Sequence, residues 1–543
     1  MLFRSLQAGA VIGQRFDLET LRYLTANPEC ECSVLVQHYL IRPEEGEEYV
    51  FAHALIQDGV YASLPKARKR ELHCRLGQWF KDRDPVLHAQ HLDRAEAPAA
   101  PGAYLAAAKE QARNYRDERA LQLVARGLAL VQARADEFAL TCMRGELLHD
   151  LGSVPESIDA FRKALALAED DRQRCRALIG IAAGDRLQDQ YDEALGALEQ
   201  AQSAAAKRRL TSEMANIHYL RGNLYFPLGR IEECREQHEL ALKYSQRADS
   251  PEAEAQALGG LGDAEYARGR VITAHEYFAR CVELCREHGF GRIEVANRSM
   301  LEHTRLYFDG LRPVVGGALA TIEAARRVGH LRAELNARHS AFFALIDLGE
   351  FAQAEDHIDK AHSLVERLGA WRFEATGLAF KARILGTEGR RAEARQLLQQ
   401  ALEIARETGI TFTGPRLLGY LALVADDPKL RQQALDEGQE VLDRGCVSHN
   451  YFWFYRDAME VGLKLGDWDS VGRYASALEA YTRSEPLPWT DLFIARGRAL
   501  ADFGAGRRGD AIAEGLGRAR DDAQRLGLIA ALPALERALA SAG

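Results

Sequence analysis

Cysteine and proline are both scarce in this 543-residue chain, and each scarcity excludes a class of protein. Nine cysteines with no paired ladder rule out a disulfide-stapled scaffold and fit a reducing compartment. The close pairs Cys30/Cys32 and Cys281/Cys285 lack the C-x-x-C spacing of zinc or redox sites, so a small, buried helix residue is their expected role. Fifteen prolines are too few for a Pro-rich linker and leave room for long helices. No stretch reaches the ~18 uninterrupted apolar residues of a membrane span. Met1 to Gly13 carries one arginine and a short apolar patch, not a secretory signal. A soluble, cytoplasmic protein with no membrane contact is expected. The net charge is -9, from 70 basic and 79 acidic residues, so no global basic field marks nucleic acid as a partner. No G-x-x-x-x-G-K-[ST] loop is present to cradle phosphates, and no H-E-x-x-H to hold zinc. The expectation is therefore no cofactor, no metal and no catalytic residue.

What is present is a repeat. In the segment Glu388 to Ala401, Ala394, Leu398 and Ala401 fall at i, i+4 and i+7, one stripe of a helix. Gly389 stands just before, where a left-handed residue ends one helix and lets the next fold back. The figure recurs as Gly349…Ala354…Ile358…Ala361, Gly269…Ala274…Phe278…Cys281, Gly229…Cys234…His238…Ala241 and Gly152…Ser157…Phe161…Ala164. Following the small residue that opens each second helix gives Ala120, Ser157, Ala194, Cys234, Ala274, Val315, Ala354, Ala394, Ala434, Val471 and Ala511, in steps of 37 to 41. Two helices of a hairpin approach most closely near their turn, so a bulky side chain there would overpack the contact. A hairpin leaves one apolar side uncovered and must stack on its neighbours.

The first residues do not follow that period. Phe16 to Leu21 reads as a helix opening with Asp17 as its cap, and Val34 to Leu40 as a second helix. Ile41 to Phe51, with Pro43, Gly46 and the alternating Tyr49/Phe51, predicts a turn between short strands. Helix, helix, hairpin, helix is the layout of a winged helix.

Gly222, Tyr225, Gly229 and Ala241 in one unit, and Gly262, Gly269, Ala274 and Phe278 in the next, resemble tetratricopeptide repeats. The usual repeat is about 34 residues, so these units are longer by about six, roughly 9 Å of extra helix shared by two helices. Such long units resemble those in the sensor arms of bacterial signalling ATPases of the STAND class. Ala10 to Asp17, Phe51 to Tyr61 and Lys66 to Phe80 are similar to segments that follow the nucleotide-binding domain in that class, above all in proteins joining a class III nucleotidyl cyclase, an AAA-type ATPase and a tetratricopeptide arm. The resemblance implies a chain matching the C-terminal part of such a protein, without its ATPase and cyclase domains. It also implies a nucleotide contact for His53, which would need a nucleotide-binding domain supplied in trans; the plain alternative is a histidine capping the hairpin-to-helix junction.

The expected fold is all-α: a winged-helix-like module at residues 1–80 with a short hairpin, a helical neck at 81–116, and an α-α superhelix of about eleven hairpins of ~40 residues over 117–543. His88 and His91 share one helical face in the neck, where packing is expected ahead of metal binding. The aromatic run Tyr451 to Tyr455 is expected mainly in the core. Counting back from the turn glycines places Asn216, Tyr219, Asn223, Asp263, Asn297, Asn336, His339, Arg383, Trp453 and Arg456 on the inner face, as candidates for capturing a protein, peptide or small ligand. A non-enzymatic scaffold or sensor in signal transduction is the resulting reading. Two others stay open: the regulatory portion of an adenylate-cyclase/AAA-ATPase fusion, and a winged-helix transcription regulator.

Overall fold

A computed structural model describes residues 2–188 and 190–542. The chain divides into two compact units, residues 1–204 and 205–543, each with its own packing.

The first unit opens with α1 (Leu2–Ile12), β1 (Arg15–Asp17), α2 (Leu18–Thr25), α3 (Ser33–Gln37), β2 (Ile41–Pro43), β3 (Glu48–Phe51), α4 (Ala54–Ser63) and α5 (Lys66–Phe80). Asp17 caps α2 as expected: its carboxylate accepts from the Thr20 amide at 2.7 Å and the Thr20 hydroxyl at 2.8 Å. The hairpin expected over 41–51 forms, with Ile41 opposite Phe51 and Pro43 opposite Tyr49. Two details differ from the sequence expectation. The helix over 34–40 stops at Gln37, because Tyr39 takes a left-handed backbone (φ 56°). Arg15 to Asp17, three residues and too short to show alternation, pairs antiparallel with β3 and gives the strand order β1-β3-β2. One buried cluster unites Phe16, Leu21, Leu24, Leu35, Ile41, Phe51, Leu72 and Leu76.

Helices follow in sequence: α6 (Pro85–Arg94), α7 (Ala100–Arg113), α8 (Asp117–Leu128), α9 (Arg134–Asp150), α10 (Val154–Leu167), α11 (Asp171–Leu187) and α12 (Tyr191–Arg208), the last crossing into the second unit. The second unit continues with α13 (Thr211–Tyr225), α14 (Ile231–Arg247), α15 (Pro251–Ala267), α16 (Val271–His288), α17 (Gly291–Arg305), α18 (Leu311–Arg327), α19 (Leu331–Asp347), α20 (Phe351–Leu368), α21 (Glu374–Thr387), α22 (Arg391–Thr408), α23 (Ile410–Val424), α24 (Pro428–Asp443), α25 (His449–Leu465), α26 (Trp468–Thr482), α27 (Pro488–Gly504), α28 (Asp510–Leu526) and α29 (Leu532–Ala542). From α7 to α28 these are eleven hairpins, the number the period implies.

The turn chemistry is the expected one. Gly389 adopts φ 82°, and the Arg390 amide reaches back to the Leu385 carbonyl at 2.9 Å, which ends α21 and starts α22. The small positions lie at tight crossings: Ala120, Ala194, Cys234, Ala274, Ala354 and Ala394 have no exposed surface. Larger residues fill the space beyond. A Cβ at Gly262 would come within 2.6 Å of the fully buried Phe278 ring, so that helix pair tolerates only glycine there.

The expected register is corrected at two places. Val315 is half-buried; the adjacent Val314 is buried and leads the stripe Val314, Ala318, Ile322, Ala325. Neighbouring valines lie ~100° apart around a helix, and only the packing chooses between them. Ala511 is exposed, and the stripe Leu516, Ala519, Ala523 places Ile512 at that crossing. With Val314 in place, Cys234, Ala274, Val314, Ala354, Ala394 and Ala434 stand 40 residues apart at every step.

Within the second unit the hairpins do more than stack on their sequence neighbours. Glu485, before α27, caps the start of α16: its carboxylate accepts from the Ile272 amide and the Thr273 hydroxyl, both at 2.6 Å. The Trp489 amide donates to the Tyr307 carbonyl at 2.9 Å. The Tyr307 ring packs on Phe452 (centroids 5.1 Å apart) and Trp489 (5.9 Å). Helices α15 to α18 thus meet α25 to α27, closing the array on itself and burying the inner face of the later hairpins.

Candidate functional site

The closed interior is built from inward turns of the later first helices. Phe342 and Phe343 of α19, Phe380 of α21, and Phe452 and Trp453 of α25 are buried there, with Trp489 of α27. Phe343 packs on Phe380 with ring centroids 3.9 Å apart and planes tilted by 41°, and meets the Trp453 ring edge at 5.8 Å. The aromatic run Tyr451 to Tyr455 is core, as expected, except that Tyr451 is only half-buried.

Charged groups sit among these rings. Arg383 of α21 and Asp457 of α25 form a two-pronged, buried ion pair. The Arg383 guanidinium also lies over Trp453, 4.7 Å from the ring centroid. Arg456 pairs with Asp347 at 3.7 Å and covers Trp453 and Phe493. Burial raises the Asp347 carboxyl above its usual range despite the pull of Arg456 and Arg383. Arg416 of α23 is 3% exposed and contacts no carboxylate: its Nη2 donates to the hydroxyls of Thr376 (2.9 Å) and Thr413 (2.6 Å). Arg416 Nε, Arg456 Nη1 and His339 Nε2 are buried without a hydrogen-bond partner.

A directed hydrogen-bond chain ties the ends of the ring. His449 Nε2 donates to the Phe412 carbonyl at 2.7 Å, so its Nδ1 accepts from the Tyr266 hydroxyl at 3.2 Å. The Tyr266 oxygen then accepts from His303 Nε2 at 3.1 Å, and His303 Nδ1 lies 3.2 Å from the oxygen of the Ser340 hydroxyl, which donates to the Asn336 carbonyl at 3.3 Å. Burial, with Arg416 nearby, lowers His303 to about 4 and drives His449 well below its usual value. His339 is lowered to about 3 by burial, by His303 and by Arg416.

The residues expected on the inner face divide into two groups. His339, Arg383 and Trp453 are buried in the closed interior, and Arg456 is nearly so, with 12% of its side chain exposed. Asn216, Tyr219, Asn223, Asp263, Asn297 and Asn336 are half-buried on α13, α15, α17 and α19. Burial raises the Asp263 carboxyl to about 7, opposed by Arg332. Asn297 donates to the Ile293 carbonyl at 2.9 Å. Sequence reasoning missed Arg416, Asp457, Asp347, Tyr266, His303 and His449, whose roles depend on helices far apart in the chain. Among the described residues, no group of three or more metal-ligating side chains converges.

Clefts open on the second unit. One of about 380 Å³ is lined by Arg326, His330, Glu334, Arg338, Lys360 and Arg367, and one of about 200 Å³ by His339, Ile358, Phe373, Glu374, Gly377 and Lys381. In the first unit, His53 occupies the cap position of α4, exposed and making no capping hydrogen bond. His88 and His91 part company: His88 Nδ1 donates to the Gly77 carbonyl at 2.6 Å, whereas His91 Nδ1 meets His73 Nδ1 at 3.0 Å, inside the packing of α5 and α6.

Stacked helical hairpins with small residues at their crossings define a tetratricopeptide-like α-solenoid. The chain belongs to the MalT-like TPR region family, which matches residues 99–418. Its fold is similar to that of a STAND signal-transduction ATPase with a tetratricopeptide repeat sensor from Pyrococcus horikoshii, at TM-score 0.51 and 14% identity over 76% of this chain. The chain spans 63% of that protein's length. It is also similar to the APC/C hetero-tetramer Cut9-Hcn1, at TM-score 0.50 and 13% identity over 93% of this chain and 94% of the other. A Rap protein complexed with competence and sporulation factor aligns at TM-score 0.45 and 10% identity, over 63% of this chain and 98% of the other. No curated protein matches. No helix among the described residues is long and apolar enough to cross a membrane.

Proposed function

We propose that this chain is the sensor and scaffold arm of a cytoplasmic signalling protein, with no catalysis of its own, and that its second unit captures a protein, peptide or small ligand. One observation carries the reading. The same inner face that the later hairpins seal stays half-open on the earlier ones, where Asn216, Tyr219 and Asn223 line α13 at i, i+3 and i+7, and Asp263, Asn297 and Asn336 continue the polar row. Amides and a carboxylate in partial shelter suit hydrogen bonding to an extended backbone or a polar ligand. The similarity in fold to the Pyrococcus protein with a tetratricopeptide repeat sensor supports the same reading.

The division of labour follows the sequence. Residues 1–80 act as a winged-helix-like hinge, 81–116 as a neck and 117–543 as the arm. The β1-β3-β2 sheet with its preceding helices supports the hinge role, and the exposed His53 would meet a nucleotide-binding domain supplied in trans. The whole would then serve as the regulatory part of an ATPase of the cyclase-linked kind. Affinity capture with the intact chain tests the arm, comparing wild type with the double variant Asn223→Arg/Asp263→Arg. The reading expects a specific partner retained by the first and lost by the second; equal retention would remove the inner face from recognition. ATP hydrolysis or cyclic-nucleotide synthesis by the purified chain would overturn the non-catalytic assignment.

A further inference from the structure

Basic side chains converge on the 380 Å³ cleft of the second unit from three helices. Arg326 stands in the last turn of α18, Arg338 in the first half of α19, and Lys360 and Arg367 on one face of α20 at i and i+7. Against these four cations the cleft wall holds one carboxylate, Glu334, and that one is shared. Its Oε1 accepts from Arg338 Nη2 at 2.6 Å and Nε at 3.0 Å, and from Arg326 Nε at 3.1 Å. At the rim Glu323 accepts from Arg326 at 3.1 Å, and Asp356 from Lys360 at 2.6 Å. Asp359 and Glu366 of α20 are paired elsewhere, with Lys381 and His362. Arg367 makes no ion pair among the described residues, so a cation is left over even with the rim included. Arg338 is 3% exposed and its guanidinium is held still by Glu334 and by His357, whose Nδ1 accepts from Nη1 at 3.2 Å. A guanidinium carries five N–H donors and an ammonium three, so Arg338, Arg326 and Lys360 each keep donors in hand after these bonds.

We propose that this cleft binds a small phosphomonoester, its phosphate among Arg326, Arg338, Lys360 and Arg367 and its body against Leu331 and Leu364. A phosphoryl group brings about −1.5 to −2 charge and three acceptor oxygens pointing in different directions. That suits cations arriving from separate helices, whereas a planar, singly charged carboxylate is satisfied by one guanidinium. The cavity falls at the small end of the range for ligand pockets, about 300–1,000 Å³, which fits a metabolite-sized ester. A phosphate in this position ties the end of α18 to α19 and α20, and so favours one angle between two successive hairpins. The inference goes beyond recognition on the inner face and does not rest on it. Asn336 of the inner row stands two residues from both Glu334 and Arg338, about 200° around α19. The capture assay and the titration below therefore fail independently.

The test is a calorimetric titration of the full chain at fixed pH and ionic strength. Glycerol 3-phosphate and phenyl phosphate are the ester probes, with sulfate as the bare anion and glycerol as the uncharged body. The proposal expects saturable heat with an ester, weaker binding of sulfate and none of glycerol. It expects ester binding at least ~10-fold weaker in Lys360→Ala/Arg367→Ala, with far-UV circular dichroism unchanged because both side chains are exposed. Arg367→Lys, which keeps the charge, should bind more tightly than Arg367→Ala. Should the double variant fail to fold, Arg367→Ala, which breaks no ion pair, decides by the same loss of affinity. No saturable response to either ester overturns the proposal. Sulfate binding as tightly as the esters also overturns it, as does full ester affinity in the variants.

Discussion

Removing Asp457 from the interior of the second unit should be among the most damaging single substitutions in the chain. The carboxylate is 1% exposed, and it is the two-pronged partner of Arg383, itself buried. Asp457→Ala leaves that guanidinium facing aromatic rings, beside Arg416, which already contacts no carboxylate. Breaking a buried pair from one side costs about 3–5 kcal/mol, because the desolvation penalty of the surviving charge is no longer offset. The second uncompensated cation nearby puts the expectation at the upper end. Replacing both partners, as in Arg383→Met/Asp457→Leu, removes both charges together and should recover most of the loss, so the double-mutant cycle gives a coupling of several kcal/mol. Urea unfolding followed by tryptophan fluorescence reads this, since Trp453 lies 4.7 Å from the Arg383 guanidinium carbon. A loss below about 1 kcal/mol for Asp457→Ala, or a double variant no better than the single one, would show that the pair is solvated and the ring is not closed as described.

Ala394→Trp, at a crossing with no exposed surface, should cost at least ~1–3 kcal/mol by overpacking, and a melting curve matching the parent would take Ala394 away from the helix contact. Glu485→Ala removes the cap of α16 from across the ring, with an expected loss of about 0.5–2 kcal/mol; unchanged hydrogen-exchange protection at Ile272 and Thr273 would contradict that contact. Acid should loosen the second unit. His303 and His339 titrate at about 4 and about 3 in the fold against 6.5 unfolded, so their neutral forms contribute in full above pH 6.5. That contribution is lost progressively as pH falls towards 4, by up to about 1.4 kcal/mol per pH unit for each histidine. A stability flat between pH 7 and pH 4.5 would contradict their burial.

The eleven hairpins were legible from the chain because their signal is local. A left-handed glycine at Gly389 and an alanine-sized residue five positions later are dictated by one turn and one crossing, and both lie within a few residues of each other. The same logic explains the two errors of register. At Val314/Val315 and at Ala511/Ile512 adjacent residues of similar character compete, and only packing against the partner helix chooses. The strand Arg15–Asp17 escaped notice because its evidence is the pairing with Glu48 to Val50, not any pattern of its own.

Periodicity alone therefore established the stacked architecture, and it proposed an inner face for the first helices. It could not say whether that face is groove or core. That depended on the array curving until Tyr266 and Tyr307 met His449, Phe452 and Trp489, contacts between residues 145 to 183 apart. Only the tertiary structure decided that Arg383 and Trp453 are sealed while Asn223 and Asp263 stay half-open. The curvature accumulates from small rotations at each hairpin interface, and no single repeat carries their sum.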